Sequence, residues 1–140
     1  MIALDIAPSA IARARAELAA SAGVELRLAN VMDQQFRGEA PFDLIVMSET
    51  VYYLGWLYSF FDVAWLAGEL FTATSAGGRL LLANTRGGCD DALLQPWIID
   101  PYRDLFANVG YRLESEREFR GTKNGVELEV LISLFVRPEG

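Results

Sequence analysis

Short apolar runs alternate along the first two thirds of the chain with longer segments in which apolar residues recur at helical spacing. The apolar residues 1–4 end at Asp5 and predict the last part of a strand. Pro8 suits the first turn of a following helix, since the N–H groups of a first turn have no helical partner in any case. We therefore predict a helix that Gly23 ends, with one face formed by Ile11, Ala14 and Leu18.

Three further runs predict strands. Residues 24–28 alternate apolar and charged side chains, which indicates a half-exposed or edge strand. The run 44–47 is continuously apolar and is typical of a central parallel strand that is covered on both faces. After the Gly77-Gly78 turn, residues 80–83 predict another buried strand.

Two helices complete this part of the chain. Residues 57–75 are rich in alanine and aromatic side chains and predict one long helix, on which Phe61, Ala64, Trp65 and Gly68 share a face. Asp100 and Pro101 are expected to cap and begin a second helix. Gly110 ends that helix, and its apolar stripe is formed by Tyr102, Leu105, Phe106 and Val109.

The C-terminal third predicts a β-hairpin. Asn124-Gly125 is a strong signal for a two-residue turn, and residues 128–136 alternate apolar and polar side chains after it. Two strands joined so tightly must be antiparallel. We predict one α/β domain over residues 1–140, with a mostly parallel sheet, helices on its faces and an antiparallel hairpin at its C-terminal edge.

Composition narrows the possible functions. The 140 residues carry a net charge of −7, which argues against a nucleic-acid partner. The absence of histidine excludes a His-based triad, a His metal site and a His general base, and no metal site is expected. Cys89 is the one cysteine, which fits a reducing compartment such as the cytoplasm. No segment has the length of a membrane span, so no membrane partner is expected.

Ligands of open α/β sheets bind beyond the carboxyl ends of the strands, and the first two such positions carry polar side chains. Asp5 can accept hydrogen bonds from a ribose diol, and an acid that favours the following helix is an equal alternative. Asn30 can pair with an adenine edge while Val31 and Met32 cover the adenine ring. The alternative for Asn30, which local sequence favours, is an ordinary Asx turn.

The third position brings a carboxylate and aromatic rings together. Glu49 can hydrogen-bond an incoming amine, and Tyr52, Tyr53 and Trp56 can wall a pocket or face a sulfonium cation. Packing at a strand-to-helix junction is the alternative for the aromatic residues, and it is the favoured one for Trp56.

The fourth position carries Arg86, which can clamp an anionic or sugar substrate, although such an arginine is more often a solvated loop residue. Cys89 lies beside two aspartates that disfavour a thiolate, and we interpret it as inert. The glycine fingerprints of phosphate-binding enzymes and the G-x-S-x-G elbow of hydrolases do not occur in the sequence.

In this order, the segments resemble class I S-adenosylmethionine-dependent methyltransferases. Residues 3–11 resemble the second motif of that family, 29–31 its adenine-contacting segment and 42–54 its fourth motif. Residues 77–82 resemble the turn into its fifth strand. The Ser-Glu-x-x-Tyr-Tyr-Leu segment that begins at Ser48 is similar to the nodulation protein S (NodS)-like branch, a bacterial branch that N-methylates the free amine of a chitooligosaccharide.

The resemblance implies a Rossmann-like three-layer sandwich and direct transfer of a methyl group from S-adenosylmethionine to a small-molecule acceptor. It implies that Glu49 positions or deprotonates the nucleophile, that Tyr53 shapes the pocket, and that Tyr52, Trp56 and Arg86 contact the acceptor. The implied cofactor contacts are Asp5, Ile6, Asn30, Val31, Met32, Ser48 and Glu49.

Two features depart from the family pattern. Asn30 stands where the family usually has aspartate, although asparagine can still accept a hydrogen bond from the adenine amino group. The first strand and glycine-rich loop of the family are expected before Asp5, where only residues 1–4 stand. The chain is therefore expected to be an N-terminally truncated domain in which Met1 marks an internal start or a fragment boundary. An open sheet edge beside residues 44–47 would then favour self-association.

Two other functions stay open. A non-catalytic methyltransferase-like domain that binds cofactor poorly and acts as an interaction module shares every motif with the enzyme. A different nucleotide-binding α/β domain is disfavoured by the missing glycine fingerprint.

We expect this 140-residue polypeptide alone to bind S-adenosylmethionine weakly or not at all, since the glycine-rich loop contacts the methionine part of the cofactor in the family. Calorimetry on the pure chain is the measurement. A micromolar dissociation constant would contradict the expectation.

Overall fold

The computed structural model describes residues 1–18, 23–36, 38–87 and 94–140. It divides into two compact units, Met1–Gln35 (unit 1) and Phe36–Gly140 (unit 2), and each is described by itself. The single domain predicted for residues 1–140 stays a prediction. Among the described helices, none combines the length and the apolar character that a membrane span requires.

Unit 1 is a small parallel βαβ unit. It contains β1 (Ile2–Asp5), α1 (Pro8–Glu17), β2 (Glu25–Leu28) and a 3-10 turn at Val31–Asp33. The two strands pair in parallel from Ile2 opposite Glu25 to Asp5 opposite Leu28. Pro8 occupies the first turn of α1, and the Ile11 side chain on this helix is buried. The predicted strand, the proline at the start of the helix and the second strand are confirmed. The predicted helix end at Gly23 is wrong, because α1 ends at Glu17 with Leu18 as its C-cap.

Unit 2 contains a four-stranded sheet in the order β3-β4-β6-β5. Its strands are β3 (Phe42–Ser48), β4 (Thr74–Thr85), β5 (Arg112–Lys123) and β6 (Val126–Val136). The β3 and β4 strands are parallel, whereas β6 is antiparallel to both β4 and β5. The hairpin therefore inserts its second strand between β4 and its own first strand.

The predicted hairpin turn is confirmed. Lys123 pairs with Val126, so Asn124 and Gly125 form a two-residue connection. Their φ angles are +53° and +79°. Both residue types tolerate this left-handed region, and such turns match the twist of the adjoining strands.

The long helix predicted over residues 57–75 is wrong in its bounds, because the structure has two helices there. They are α2 (Val51–Leu57) and α3 (Phe60–Ala73). Tyr58 is the C-cap of α2, and Ser59 begins α3. The Ser59 side chain accepts from the Asp62 N–H, while the Asp62 carboxylate accepts from the Ser59 N–H. This capping box satisfies backbone groups that a helix start leaves unpaired.

One further expectation about the helices needs correction. The Asp100-Pro101 pair does not begin the next helix: α4 spans Pro96–Asn108, Pro96 occupies its first turn, and Pro101 lies inside it. The face of α3 that carries Phe61 and Trp65 is exposed, because these side chains are 85% and 73% accessible. The opposite face of α3 is buried and consists of Val63, Leu66, Ala67, Leu70 and Ala73.

The β3 strand is not covered on both faces as predicted. Leu44 and Val46 are 57% and 56% exposed, whereas Met47 on the other face is buried. Within the described part of the chain, β3 pairs only with β4 and is an edge strand of its sheet. A continuous apolar run does not distinguish a central strand from an edge strand, because that distinction depends on which other strand lies alongside.

The core of unit 2 lies between the sheet and helices α3 and α4. Leu80, Leu82 and Phe135 are almost fully buried on the sheet, as are Ile99 and Phe106 on α4. The Tyr111 and Thr74 hydroxyl oxygens lie 2.5 Å apart inside this core. Tyr111 also packs edge-on against Phe71 with ring centroids 5.0 Å apart. The hydroxyl pair lets the core bury two polar groups without leaving them unsatisfied.

Alkaline pH should destabilise unit 2 through Tyr111. Burial raises the pKa of Tyr111 to about 12, whereas a tyrosine in an unfolded chain ionises at about pH 10. The contribution of neutral Tyr111 to stability is complete below that pH and is lost as the pH rises toward the folded-state pKa. Urea unfolding across this window should show a smaller loss of unfolding free energy for Tyr111→Phe than for the wild type. An equal loss of unfolding free energy in the wild type and in Tyr111→Phe across this window would contradict the assignment.

Candidate functional site

Parallel pairing in unit 1 brings the first two predicted ligand positions to one sheet edge. Asp5 ends β1, and the Ala29 N–H donates to its carbonyl oxygen at 3.0 Å, so the residue before Asn30 lies beside it. The Asp5 carboxylate accepts from the Ala7 N–H at 2.7 Å through Oδ1. An ionised carboxylate has about four acceptor positions, so exposed Asp5 keeps capacity for hydroxyl donors. Ile6 follows it with 66% of its surface exposed.

Asn30 caps the 3-10 turn, which is the local role that the sequence offered as the alternative to an adenine contact. Its Oδ1 accepts from the Met32 N–H at 3.0 Å at the start of the 3-10 turn. The adenine contact of Asn30 stays a prediction. Val31 and Met32 are half-buried in the same turn.

In unit 2 the third and fourth predicted positions meet at the carboxyl ends of β3 and β4. Ser48 pairs with Ala83 at the end of the ladder, and the Glu49 N–H donates to the Ala83 carbonyl at 2.7 Å. Glu49 then adopts φ +53°, a left-handed conformation that is uncommon for a residue other than glycine. This conformation ends the strand and begins the approach to α2.

Three donors from two residues hold the Glu49 carboxylate. The Thr85 N–H donates to Oε1 at 2.8 Å, and the Thr85 hydroxyl donates to Oε2 at 3.0 Å. The Tyr52 hydroxyl donates to Oε2 at 2.8 Å. Because each carboxylate oxygen can accept about two hydrogen bonds, Oε1 retains room for one further donor.

The predicted aromatic wall divides into two kinds of residue. Burial and then the hydrogen bond to Glu49 raise the pKa of Tyr52 well above its ordinary value, so this phenol stays a protonated donor. Its ring contacts Tyr53 with centroids 4.5 Å apart. Tyr53 and Trp56 are 50% and 66% exposed. Tyr52 therefore directs its hydroxyl to a neighbouring side chain, while Tyr53 and Trp56 present ring surface.

Arg86 forms ion pairs inside the unit. Its guanidinium lies 3.1 Å from an Asp100 oxygen on α4 and also contacts the Glu118 carboxylate on β5. The Arg86 side chain is only 16% exposed. The predicted contact with a substrate thus competes with two existing carboxylates, and it stays a prediction.

Sequence reasoning did not single out Thr85, Asp100 or Glu118 as site residues. Thr85 stands two residues beyond the predicted strand 80–83, within the segment that carries Arg86. Its place near the end of a strand could be predicted, but its contact with Glu49 could not. Cys89, interpreted as inert, lies outside the described residues. Among the described residues, no cluster of potential ligands has the composition of a metal site.

Loss of Arg86 should destabilise unit 2 because two carboxylates would lose their counter-ion. We expect Arg86→Met to lower the free energy of unfolding by about 1–3 kcal/mol, less than for a fully buried pair because the carboxylates are partly exposed. Chemical denaturation is the measurement. Arg117→Met makes the same change at an exposed β5 position and should cost less than about 0.5 kcal/mol. Equal effects of the two variants would show that the ion pairs contribute nothing.

Comparison with solved structures shows which proteins share this fold. No family model matches the chain. NodS N-methyltransferase from Bradyrhizobium japonicum WM9 superimposes with a TM-score of 0.78 at 19% identity, covering 99% of this chain and 73% of that one. A TehB-like S-adenosylmethionine-dependent methyltransferase from Corynebacterium glutamicum gives a TM-score of 0.67 at 20% identity, covering 97% of this chain and 67% of that one.

Sequence similarity points to the same group. Nodulation protein S from Rhizobium tropici is 34% identical over 94 residues, which cover 67% of this chain. The matched segment spans 36% of that relative's length. By sequence similarity and by its Rossmann-like fold, the chain belongs to the NodS-like branch of the class I S-adenosylmethionine-dependent methyltransferases.

Proposed function

We propose that the protein carrying this chain transfers a methyl group from S-adenosylmethionine to an amine of a small molecule, and that an amino sugar or oligosaccharide is the acceptor. The observation that carries this proposal is the Glu49 carboxylate at the carboxyl end of β3, held by three internal donors with one acceptor position left on Oε1. The N-methyltransferase NodS, a structural relative, supports the choice of an amine.

The residues of unit 1 fit the adenosine part of the cofactor. Asp5 is exposed at a strand end, and only one of its oxygens is engaged by a backbone N–H among the described residues, so the carboxylate can accept from a ribose diol. Ile6 offers exposed apolar surface next to it. Asn30, Val31 and Met32 supply an amide and two apolar side chains on the neighbouring strand end. A NodS structure was solved with S-adenosylhomocysteine, which supports the same class of cofactor here.

Bound S-adenosylmethionine supplies an activated methyl group. The chain's contribution is to orient the acceptor for in-line attack and to exclude water, since orientation supplies much of the rate in such displacements. Glu49 Oε1 accepts an N–H of the acceptor amine and holds its nitrogen in place. Tyr53 and Trp56 offer aromatic faces to the acceptor. Ser48, which precedes Glu49, contacts the cofactor.

Three finer assignments belong to the same proposal. A cytoplasmic location is supported by the single cysteine. Self-association through β3 is supported by its exposed Leu44 and Val46 side chains. The role of Arg86 in acceptor binding would require the acceptor to share a guanidinium that Asp100 and Glu118 already contact.

Replacing Glu49 tests the proposal. Glu49→Gln in the full-length protein should lower kcat for methylation of an amino-sugar acceptor by about 100-fold, the scale of a lost positioned carboxylate. In calorimetry, the affinity for S-adenosylhomocysteine should fall by much less than kcat, because the Glu49 contact that the proposal requires is with the acceptor amine. Glu127→Gln makes the same change at an exposed position of β6 and should behave like the wild type.

The outcomes separate the candidate functions. Unchanged turnover in Glu49→Gln would remove Glu49 from the reaction. A wild-type protein that neither binds the cofactor nor transfers methyl groups to amines would favour the non-catalytic interaction module.

A further inference from the structure

Glu49 is held in its left-handed conformation from two sides. This conformation is unfavourable for a residue with a Cβ atom, and such residues persist in it only where their surroundings fix them. On the backbone side, the Glu49 N–H bonds to the Ala83 carbonyl of β4. On the side-chain side, the carboxylate bonds to Thr85, two residues further along the same strand.

Thr85 holds both oxygens of the carboxylate at once. Its N–H reaches Oε1 at 2.8 Å, and its hydroxyl reaches Oε2 at 3.0 Å. Two donors on the two oxygens define the plane of the carboxylate, which a single donor would leave free to rotate. Thr85 by itself supplies a donor to each oxygen, and Tyr52 adds a second donor to Oε2. The two residues together set the orientation of the remaining acceptor position on Oε1.

The Thr85 side chain contacts Glu49 from a buried position. It is 8% exposed, so its hydroxyl has little access to water, and that hydroxyl donates to the Glu49 carboxylate. The neighbouring donor, Tyr52, adds a bond to Oε2 but leaves Oε1 untouched. Thr85 and Tyr52 thus act on the same carboxylate from β4 and from α2.

We propose that Thr85 is a positioning residue for Glu49: it fixes the plane of the carboxylate so that the free acceptor position of Oε1 meets the amine to be methylated. The reaction part of this inference rests on the proposed function. The positioning part rests on the contacts alone. Thr85 does not itself touch the acceptor or the cofactor in this assignment.

A set of variants in the full-length protein tests both parts. Thr85→Val keeps the shape and the backbone N–H but removes the hydroxyl, and Thr85→Ser keeps the hydroxyl. The first measurement needs no activity: thermal unfolding of Thr85→Val, Glu49→Gln and the double variant forms a cycle that isolates the coupling of the two side chains. We expect the melting temperature of the double variant to fall by clearly less than the sum of the decreases in the two single variants.

The second measurement is the split between kcat and KM with an amino-sugar acceptor. We expect Thr85→Val to lower kcat by about 10-fold, the scale of one lost hydrogen bond to a charged group, because the Thr85 N–H and the Tyr52 hydroxyl still hold the carboxylate. The KM for S-adenosylmethionine should stay unchanged, and Thr85→Ser should recover most of kcat. A purely structural role of Thr85 would lower the melting temperature without this selective loss and rescue.

Each result decides a different point. Additive losses of melting temperature would overturn the proposal, whatever the activity. Coupled losses together with wild-type kcat in Thr85→Val would also overturn it. Coupled losses in a protein whose wild type methylates no amine would refute the proposed function and leave the positioning of Glu49 by Thr85 standing. Coupled losses with a kcat loss that serine rescues would support both.

Discussion

The parallel hydrogen bonding of β3 with β4 is the constraint on which the candidate site of unit 2 depends. Two parallel strands end at the same edge of a sheet, so their last residues become neighbours although 36 positions separate Glu49 from Thr85 in the chain. The ladder continues one residue beyond β3 through the Glu49 N–H and the Ala83 carbonyl. That last bond leaves the Glu49 side chain beside Thr85.

The packing on one face of the sheet makes this edge firm. Leu80 and Leu82 of β4 are buried together with Phe135 of β6, and helices α3 and α4 supply the facing side chains. Interiors of this density resist displacement, so the end of β4 is a rigid base for Thr85. The other face of β3 exposes the side chains of Leu44 and Val46.

Charged side chains join α4 to the hairpin beside this core. Arg86 connects Asp100 of α4 with Glu118 of β5. Arg103 contacts Glu116, which also accepts from the Ser133 hydroxyl at 2.7 Å. Although burial opposes it, these two donors hold the pKa of Glu116 below its usual value. The hairpin and α4 are therefore tied by paired charges as well as by apolar contacts.

The sequence by itself determined the features that depend on neighbours in the chain. Pro8 at the start of α1 and the Asn124-Gly125 turn follow from local backbone preferences, and both were predicted. The break between α2 and α3 also has a local cause, which is the Ser59–Asp62 capping box. One long helix was predicted because the residues on both sides of the break have helical composition. The family resemblance likewise rested on short motifs in chain order.

Only the tertiary structure decided which side chains meet. The apolar run of β3 did not indicate that β3 is an edge strand, since no local property of a strand shows which strand pairs with it. Arg86 is typical of a solvated loop residue in sequence, yet the fold surrounds it with two carboxylates from distant elements. Glu49 was identified from its place after a strand, but its partner Thr85 comes from the register of β3 on β4. Strand register is set by packing over the whole sheet, which is why the sequence indicated the carboxylate and the fold supplied the residue that orients it.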